Sequence, residues 1–239
     1  MPASQTPVSR ARGSCFVTGT DTGVGKTLIA SAMVYALGQR GLRVVGMKPV
    51  AAGAIWAKGV WRNDDVEQLA AVANVSVPRE MLCPYELPQA VAPHIAAELA
   101  GTPLRLPIIV RAYQRLCEQA EAVVVEGVGG FRVPLGADFD TADVARALQL
   151  PVLLVVGLRL GCLNHAALSA EAIAARGLRL AGWVANTIDP HMAQIERNIA
   201  TLRALLPAPC LGCVPWLTPS DCVRAANCLD ITALCTGEL

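Results

Sequence analysis

Charge is sparse and balanced in this chain. Asp, Glu, Lys and Arg make up 16% of its 239 residues and sum to +1 with the histidines neutral. The basic residues are dispersed, with no run of them. A broad field that would draw nucleic acid or an anionic membrane is therefore excluded. Long apolar runs are missing too: a membrane helix needs about 20 such residues, whereas stretches such as Pro151 to Leu158 are strand-length. Met1 to Gly13 is polar, with no apolar segment after Arg10 and Arg12, and reads as a flexible N-terminus rather than a secretory signal. Histidine is rare, and His94, His165 and His191 show no metal-ligand spacing.

Cysteine, by contrast, is plentiful. There are nine, an odd number scattered through an enzyme-sized chain, which fits a reducing cytoplasm. Cys210-x-x-Cys213, followed by Cys222 and Cys228, is the one cluster worth testing as a zinc site. Its second pair has the wrong spacing, so the four are better read as small apolar core residues. No linker divides the chain, and residues 1–239 are expected to form one domain around one core.

The stretch that organises the rest is Gly19-Thr20-Asp21-Thr22-Gly23-Val24-Gly25-Lys26-Thr27. It follows the apolar Cys15-Phe16-Val17 and precedes Leu28 to Met33, which reads as helix. Strand, glycine loop and helix start are the context of a phosphate-cradling loop. Unpartnered N–H groups and the dipole of the helix start favour an anion there. Lys26 can reach the β- and γ-phosphates, and the Thr27 hydroxyl can bind Mg²⁺. The spacing is one residue longer than the standard pattern, with five residues between Gly19 and Gly25.

Further apolar strands are expected at 43–47, 122–125, 152–156, 179–185 and 211–214, alternating with helices. The main helices are expected over 107–119, 141–148 and 192–205, with one from the phosphate loop to Arg40 and another ending at Arg176. A helix also follows the capping-type start Asn63-Asp64-Asp65. Residues 51–62 and 157–164 read as loops. The proline-rich segment 78–107 reads as irregular, with a short helix over 94–100. Such an alternation implies an α/β fold of the P-loop NTPase type, a mostly parallel sheet flanked by helices on both faces. Arg40-Gly41-Leu42-Arg43 is echoed by Arg176-Gly177-Leu178-Arg179, which shared helix-to-strand turn chemistry explains.

Ligands of an open parallel sheet bind beyond the carboxyl ends of its strands. Those ends carry Lys48-Pro49, Glu126-Gly127, Gly157 and Asn186. Glu126 stands where an acidic group for Mg²⁺ is held, and Thr27, Glu126 and either Asp64 or Asp65 make a plausible oxygen set. Lys48, aimed by Pro49, offers a second cation beside Lys26 for a transferring phosphoryl group. Asn186 can present its amide to an adenine edge.

Taken together, these motifs resemble the dethiobiotin synthetases, the ATP-dependent carboxylases of the biotin pathway. The likeness spans nearly the whole chain. Besides the glycine loop it rests on Lys48-Pro49-Val50, Asn63 with Asp65, Pro93-His94, Glu126 to Gly130 and Pro134-Leu135. Toward the C-terminus it includes Leu160 to His165, Gly182 to Asn186 and Pro215-Trp216-Leu217. The resemblance implies a cytoplasmic homodimer that closes the ring of 7,8-diaminononanoate with CO₂ and MgATP, needing neither nucleic acid nor membrane. It assigns ATP to Gly23, Val24, Gly25, Lys26, Thr27, Leu28, Asp65, Glu126, Gly127, Val128 and Gly129. On the adenine side it adds Asn186, Thr187, Pro215, Trp216 and Leu217. Mg²⁺ is assigned to Thr27, Asp65 and Glu126, charge stabilisation to Lys26 and Lys48, and the substrate to Lys48, Ala52, Gly161, Cys162 and Asn164. The chain departs from the family at Ala52 and Ala92, where serine is common, and at Gly23, where glutamate is. After Pro215-Trp216-Leu217 the family places an acid for which only Asp221 is a neighbouring candidate. Two other classes use such a loop: a switch ATPase of the partition type, and an amidating synthetase.

Overall fold

A computed structural model describes residues 13–232 and Leu234. The expected flexible stretch therefore lies, apart from Gly13, outside the described residues. Strand β1 (Cys15–Gly19) and helix α1 (Lys26–Gln39) flank the glycine loop, and β2 (Val44–Met47) follows. Next come β3 (Val50–Ala52), β4 (Ile55–Ala57), β5 (Val60–Arg62) and α2 (Asp64–Val72). Then α3 (Arg79–Leu82), β6 (Tyr85–Leu87) and α4 (Pro93–Leu99) precede α5 (Leu106–Gln119) and β7 (Ala122–Glu126). The alternation continues through α6 (Thr141–Leu148), β8 (Val152–Leu158), α7 (Cys162–Ala175) and β9 (Leu180–Thr187). It closes with α8 (Ile195–Leu205), β10 (Cys210–Val214) and α9 (Cys222–Ala226).

Six strands form one sheet in the order β10-β9-β8-β1-β7-β2, and every pairing is parallel. Alternate residues of each strand feed opposite faces. Val17, Val124, Val155 and Val184 pack with Ile29, Met33 and Leu37 of α1. On the other face Val123 and Val125 meet α5, while Leu154, Val156 and Trp183 meet α7 and α8. All residues of β7 and β8 are buried, which is why those strands read as unbroken apolar runs. Each fully buried Val or Leu there contributes roughly 1.5–3 kcal/mol.

Two helix ends explain the repeated Arg-Gly-Leu-Arg. Gly41 and Gly177 have φ of 83° and 68°. Their N–H groups donate to Gly38 and Ala174, and those of Leu42 and Leu178 to Leu37 and Ile173. This double bond pattern is a Schellman cap, repeated for its turn geometry.

Three expectations need correction. Residues 51–62 are not a loop: β4 and β5 pair antiparallel around Lys58 and Gly59, both at positive φ. Residues 78–107 hold, besides the expected short helix (α4), the strand β6, which pairs with β3, and the helix α3. The 157–164 loop shrinks to residues 159–161, because Gly157 and Leu158 end β8 and Cys162 begins α7.

Candidate active site

The glycine loop leaves β1 at the centre of the sheet and delivers α1 directly beneath it. Gly23 and Gly25 sit at φ of 74° and 87°, where a side chain is strained. A Cβ on Gly25 would also fall against the Asn186 amide nitrogen, and one on Gly19 against Val24. These glycines thus let the loop close tightly on its neighbours. Lys26, almost buried, turns its ammonium back to the Asp21 carbonyl at 2.9 Å. Asp21 also pairs with Arg159, tying the loop to the turn before α7. The Thr22 N–H bond and that guanidinium hold the Asp21 carboxyl below its usual range.

Beside the loop, three strand and helix ends converge. Thr27 Oγ1 lies 2.8 Å from Asp65 Oδ1 and 2.9 Å from Glu126 Oε1. Lys48 Nζ contacts Glu126 Oε1 at 2.5 Å, Asp65 Oδ2 at 2.9 Å and the Gly127 carbonyl at 3.2 Å. Asp65 is held there because Asn63 caps α2: Asn63 Oδ1 accepts the Asp65 N–H, and its Nδ2 donates to the Ala52 carbonyl. Asn63 N–H in turn donates to Glu86, which Arg79 clamps through two nitrogens at 2.7 and 2.6 Å. The Arg79–Glu86 clamp left no signal in the sequence, since its members lie in the segment that reads as irregular.

Burial sets the electrostatics. It pushes Lys26 down to about 8, with the Lys48 charge adding to the effect. Burial would lower Lys48 too, but Glu126 and Asp65 outweigh it and hold the ammonium protonated above its usual value. Asp65 is lowered, because Lys48 overcomes a burial effect of opposite sign. Glu126, with its side chain 1% exposed, is raised by burial despite Lys48. Its Oε2 is buried without a hydrogen-bond partner. A hydroxyl carries one proton, so Thr27 cannot donate to both carboxylates. An excess of oxygen acceptors around an orphaned carboxylate oxygen fits a hard divalent cation such as Mg²⁺.

A cleft of about 830 Å³ opens over this cluster. It is lined by Gly23, Gly25, Lys26, Thr27, Lys48, Ala52, Asp65, Glu126, Val128 and Gly129 among the expected residues, and by Ala92 and Pro93. Gly127 lies just behind, with its carbonyl on Lys48. The residues expected around adenine lie on the other side of β1, beyond the ends of β9 and β10. There Asn186 is buried and its amide donates to the Val24 carbonyl at 2.9 Å, bracing the phosphate loop. Thr187 ends β9, Leu28 and Leu217 pack against the α1 core, and Pro215 precedes an exposed Trp216. Asp221 caps α9, accepting the Val223 and Arg224 N–H groups.

The residues expected to meet substrate at α7 are outside the cleft. Gly161 caps the helix at φ 96°, Asn164 is exposed, and the Cys162 side chain is buried in the core. Cys162 can therefore offer a ligand only its backbone. The four cysteines do not converge: Cys210 and Cys213 pack on the α7–α8 side of the sheet, Cys222 and Cys228 on the α1 side. The described residues contain no cluster of three or more His, Cys, Asp and Glu side chains arranged for a metal. None of their helices is long and apolar enough to cross a membrane.

Comparison with known proteins converges on the same picture. Residues 14–223 match a family described as AAA domain. The ATP-dependent dethiobiotin synthetase BioD of Janthinobacterium sp. (strain Marseille) is 56% identical over 225 residues, 92% of this chain and 95% of that protein. The enzyme of the same name from Ralstonia nicotianae is 56% identical over 223 residues, 93% of this chain and 97% of its own. Among solved structures, the septum site-determining protein MinD with Mg-ADP from Pyrococcus horikoshii aligns with a TM-score of 0.53 at 15% identity, over 89% of this chain and 92% of that one. A ParA family ATPase from Chlorobium tepidum aligns with a TM-score of 0.54 at 10% identity, over 91% and 97%. At such identities the two structures share the fold alone.

Proposed function

Because the chain belongs to the ATP-dependent dethiobiotin synthetase family, ligases that close the ring of 7,8-diaminononanoate with CO₂, we propose that the cleft over Lys26, Lys48, Asp65 and Glu126 is where this reaction occurs. The observation that carries the assignment is the meeting of two ammonium groups and two carboxylates with Thr27 at the mouth of the glycine loop.

The reaction has three bond-forming events. One substrate amine attacks CO₂ and loses a proton, giving a carbamate. A carbamate oxygen then attacks the γ-phosphorus of ATP and displaces ADP. The second amine attacks the carbonyl of the resulting mixed anhydride and expels phosphate as the ring closes.

Positioning and charge stabilisation are what a protein contributes to such a phosphoryl transfer. The loop N–H groups from Gly23 to Leu28, with Lys26, hold the phosphates. Lys48, kept protonated by its carboxylate neighbours, offsets the charge that gathers on carbamate and transferring phosphoryl. Thr27, Asp65 and Glu126 would hold Mg²⁺, which when bound neutralises charge on the β- and γ-phosphates. Asn186, braced against Val24, and Thr187, Pro215, Trp216 and Leu217 flank the adenine. Ala52 lies against the diamine. Gly161, Cys162 and Asn164 serve the substrate from α7, across the interface of a cytoplasmic homodimer that engages neither nucleic acid nor membrane.

Purified protein given MgATP, bicarbonate and diaminononanoate tests this reading by ADP release. Release that depends on both diamine and CO₂ supports it. ADP release stimulated instead by DNA or lipid, or requiring glutamine or ammonia, would overturn it.

A further inference from the structure

The edge strand β10 carries a feature unrelated to the cleft. In a regular strand, residues three apart point to opposite faces. The register between β10 and β9 slips, however: Cys210 faces Trp183, but Gly212, two residues on, faces Val184. Leu211 is the extra residue of a β-bulge, and the slip puts Cys210 and Cys213 on one face. Both pack against the α7–α8 core beside Trp183 and Ala185. Gly212 lets residues 228–229 come up against the strand, since a Cβ there would collide with the Cys228 carbonyl.

The outcome is a vicinal dithiol. Cys210 Sγ and Cys213 Sγ lie 4.0 Å apart, both free thiols and both partly exposed. Arg203 on α8 places a guanidinium nitrogen 3.9 Å from Cys213 Sγ. Burial and the Cys210 neighbour outweigh this cation and hold the Cys213 thiol above its usual range until a metal takes the place of its proton. With zinc–sulfur bonds of about 2.3 Å, a 4.0 Å sulfur separation subtends about 120° at the ion, and a larger ion with longer bonds subtends less. The pair is therefore already at the bite of a two-thiolate chelate, with the remaining positions left for solvent or outside ligands.

We propose that Cys210 and Cys213 form a bidentate site for a thiophilic d¹⁰ cation, a class that thiolate sulfur selects over hard ions such as Mg²⁺. Binding a divalent ion releases two thiol protons and forms two metal–sulfur bonds, with no electron transferred. The site does not depend on the reading of the cleft.

Cd²⁺ is the probe. The reduced full-length protein is titrated with Cd²⁺ in excess Mg²⁺, following sulfur-to-cadmium charge-transfer absorption. The expected result is saturation at one Cd²⁺ per chain, with Cys210 and Cys213 together protected from alkylation in peptide maps. Cys210→Ser and Cys213→Ser should each weaken binding about 100-fold or more, the loss of an intramolecular second ligand. The double variant Cys222→Ser, Cys228→Ser should titrate like the parent. Absence of saturable absorption, protection of other cysteines, or parental affinity in either single variant would overturn the proposal. Alkylation mapping needs no variant, so a substitution that impairs folding leaves the test intact.

Discussion

Replacing Lys48 by methionine should separate the two things its ammonium does. The side chain is 4% exposed and its Glu126 partner 1%, so the pair is buried. Methionine roughly keeps the volume, leaving the loss of charge as the main change. Removing one member of a buried ion pair costs about 3–5 kcal/mol, because the survivor is left uncompensated. Asp65, at 37% exposure, is screened by solvent and should add little. For a chain of this size about 2–4 °C of Tm accompanies each kcal/mol, so Tm should fall by roughly 6–20 °C. The sign of the pH dependence follows from Glu126. Burial already raises its pKa, and without Lys48 it would take a proton more readily still. The deficit should be largest near pH 8 and shrink toward pH 5. Urea unfolding of both proteins at the two pH values measures this directly. At the same time, kcat should fall about 10²–10³-fold while an ATP analogue still binds. Equal stability at both pH values would refute a buried charged pair, and a parental kcat would make Lys48 a bystander.

Gly25→Ala should cost at least about 1–2 kcal/mol from left-handed backbone alone, and it should also lose nucleotide binding. Asn186→Ala should relieve part of the clash in the double variant; strict additivity in thermal denaturation would contradict the packing. Lys26, at about 8 when free, should take up a proton when phosphates bind between pH 8 and its higher bound value. ATP affinity should therefore weaken as pH rises above 8, and calorimetry in buffers of differing ionisation heat should show the uptake, lost in Lys26→Met. Without ligand, its depressed pKa lets the unfolded chain hold the extra proton between about 8 and 10.5, so it should make stability rise with pH there. Ala52→Ser should lower the KM for the diamine by several-fold, as one neutral hydrogen bond of about 0.5–1.5 kcal/mol allows, with ATP parameters unchanged. An unchanged or higher diamine KM would remove Ala52 from the site.

The sheet was legible because its strands are buried on both faces and so appear as unbroken apolar runs. Lys26, Thr27, Lys48 and Glu126 were legible because each stands at a strand or helix end in the topology those runs imply, whereas position alone left Asp64 and Asp65 open and only the family resemblance chose Asp65. The β4–β5 hairpin was hidden by its turn: Lys58 occupies a positive-φ position where asparagine or glycine is the usual signal. Strand β6 is three residues between Pro84 and Pro88, too short to show a period. The contact between Lys48 and Glu126 joins residues 78 apart, and no local pattern reports such a pairing. Asn186 was expected at adenine from its strand-end position, whereas only packing shows its amide on the Val24 carbonyl.

The central claim is that the Lys26 and Lys48 ammonium groups face a single γ-phosphoryl group. Its most direct test is a crystal structure with Mg²⁺, a non-hydrolysable ATP analogue and diaminononanoate. Both ammonium nitrogens should lie within hydrogen-bonding distance of the γ-phosphate or the carbamate, with the metal on oxygens of Thr27, Asp65 and Glu126. A nucleotide seated away from the glycine loop, or Lys48 remote from both phosphate and diamine, would contradict it.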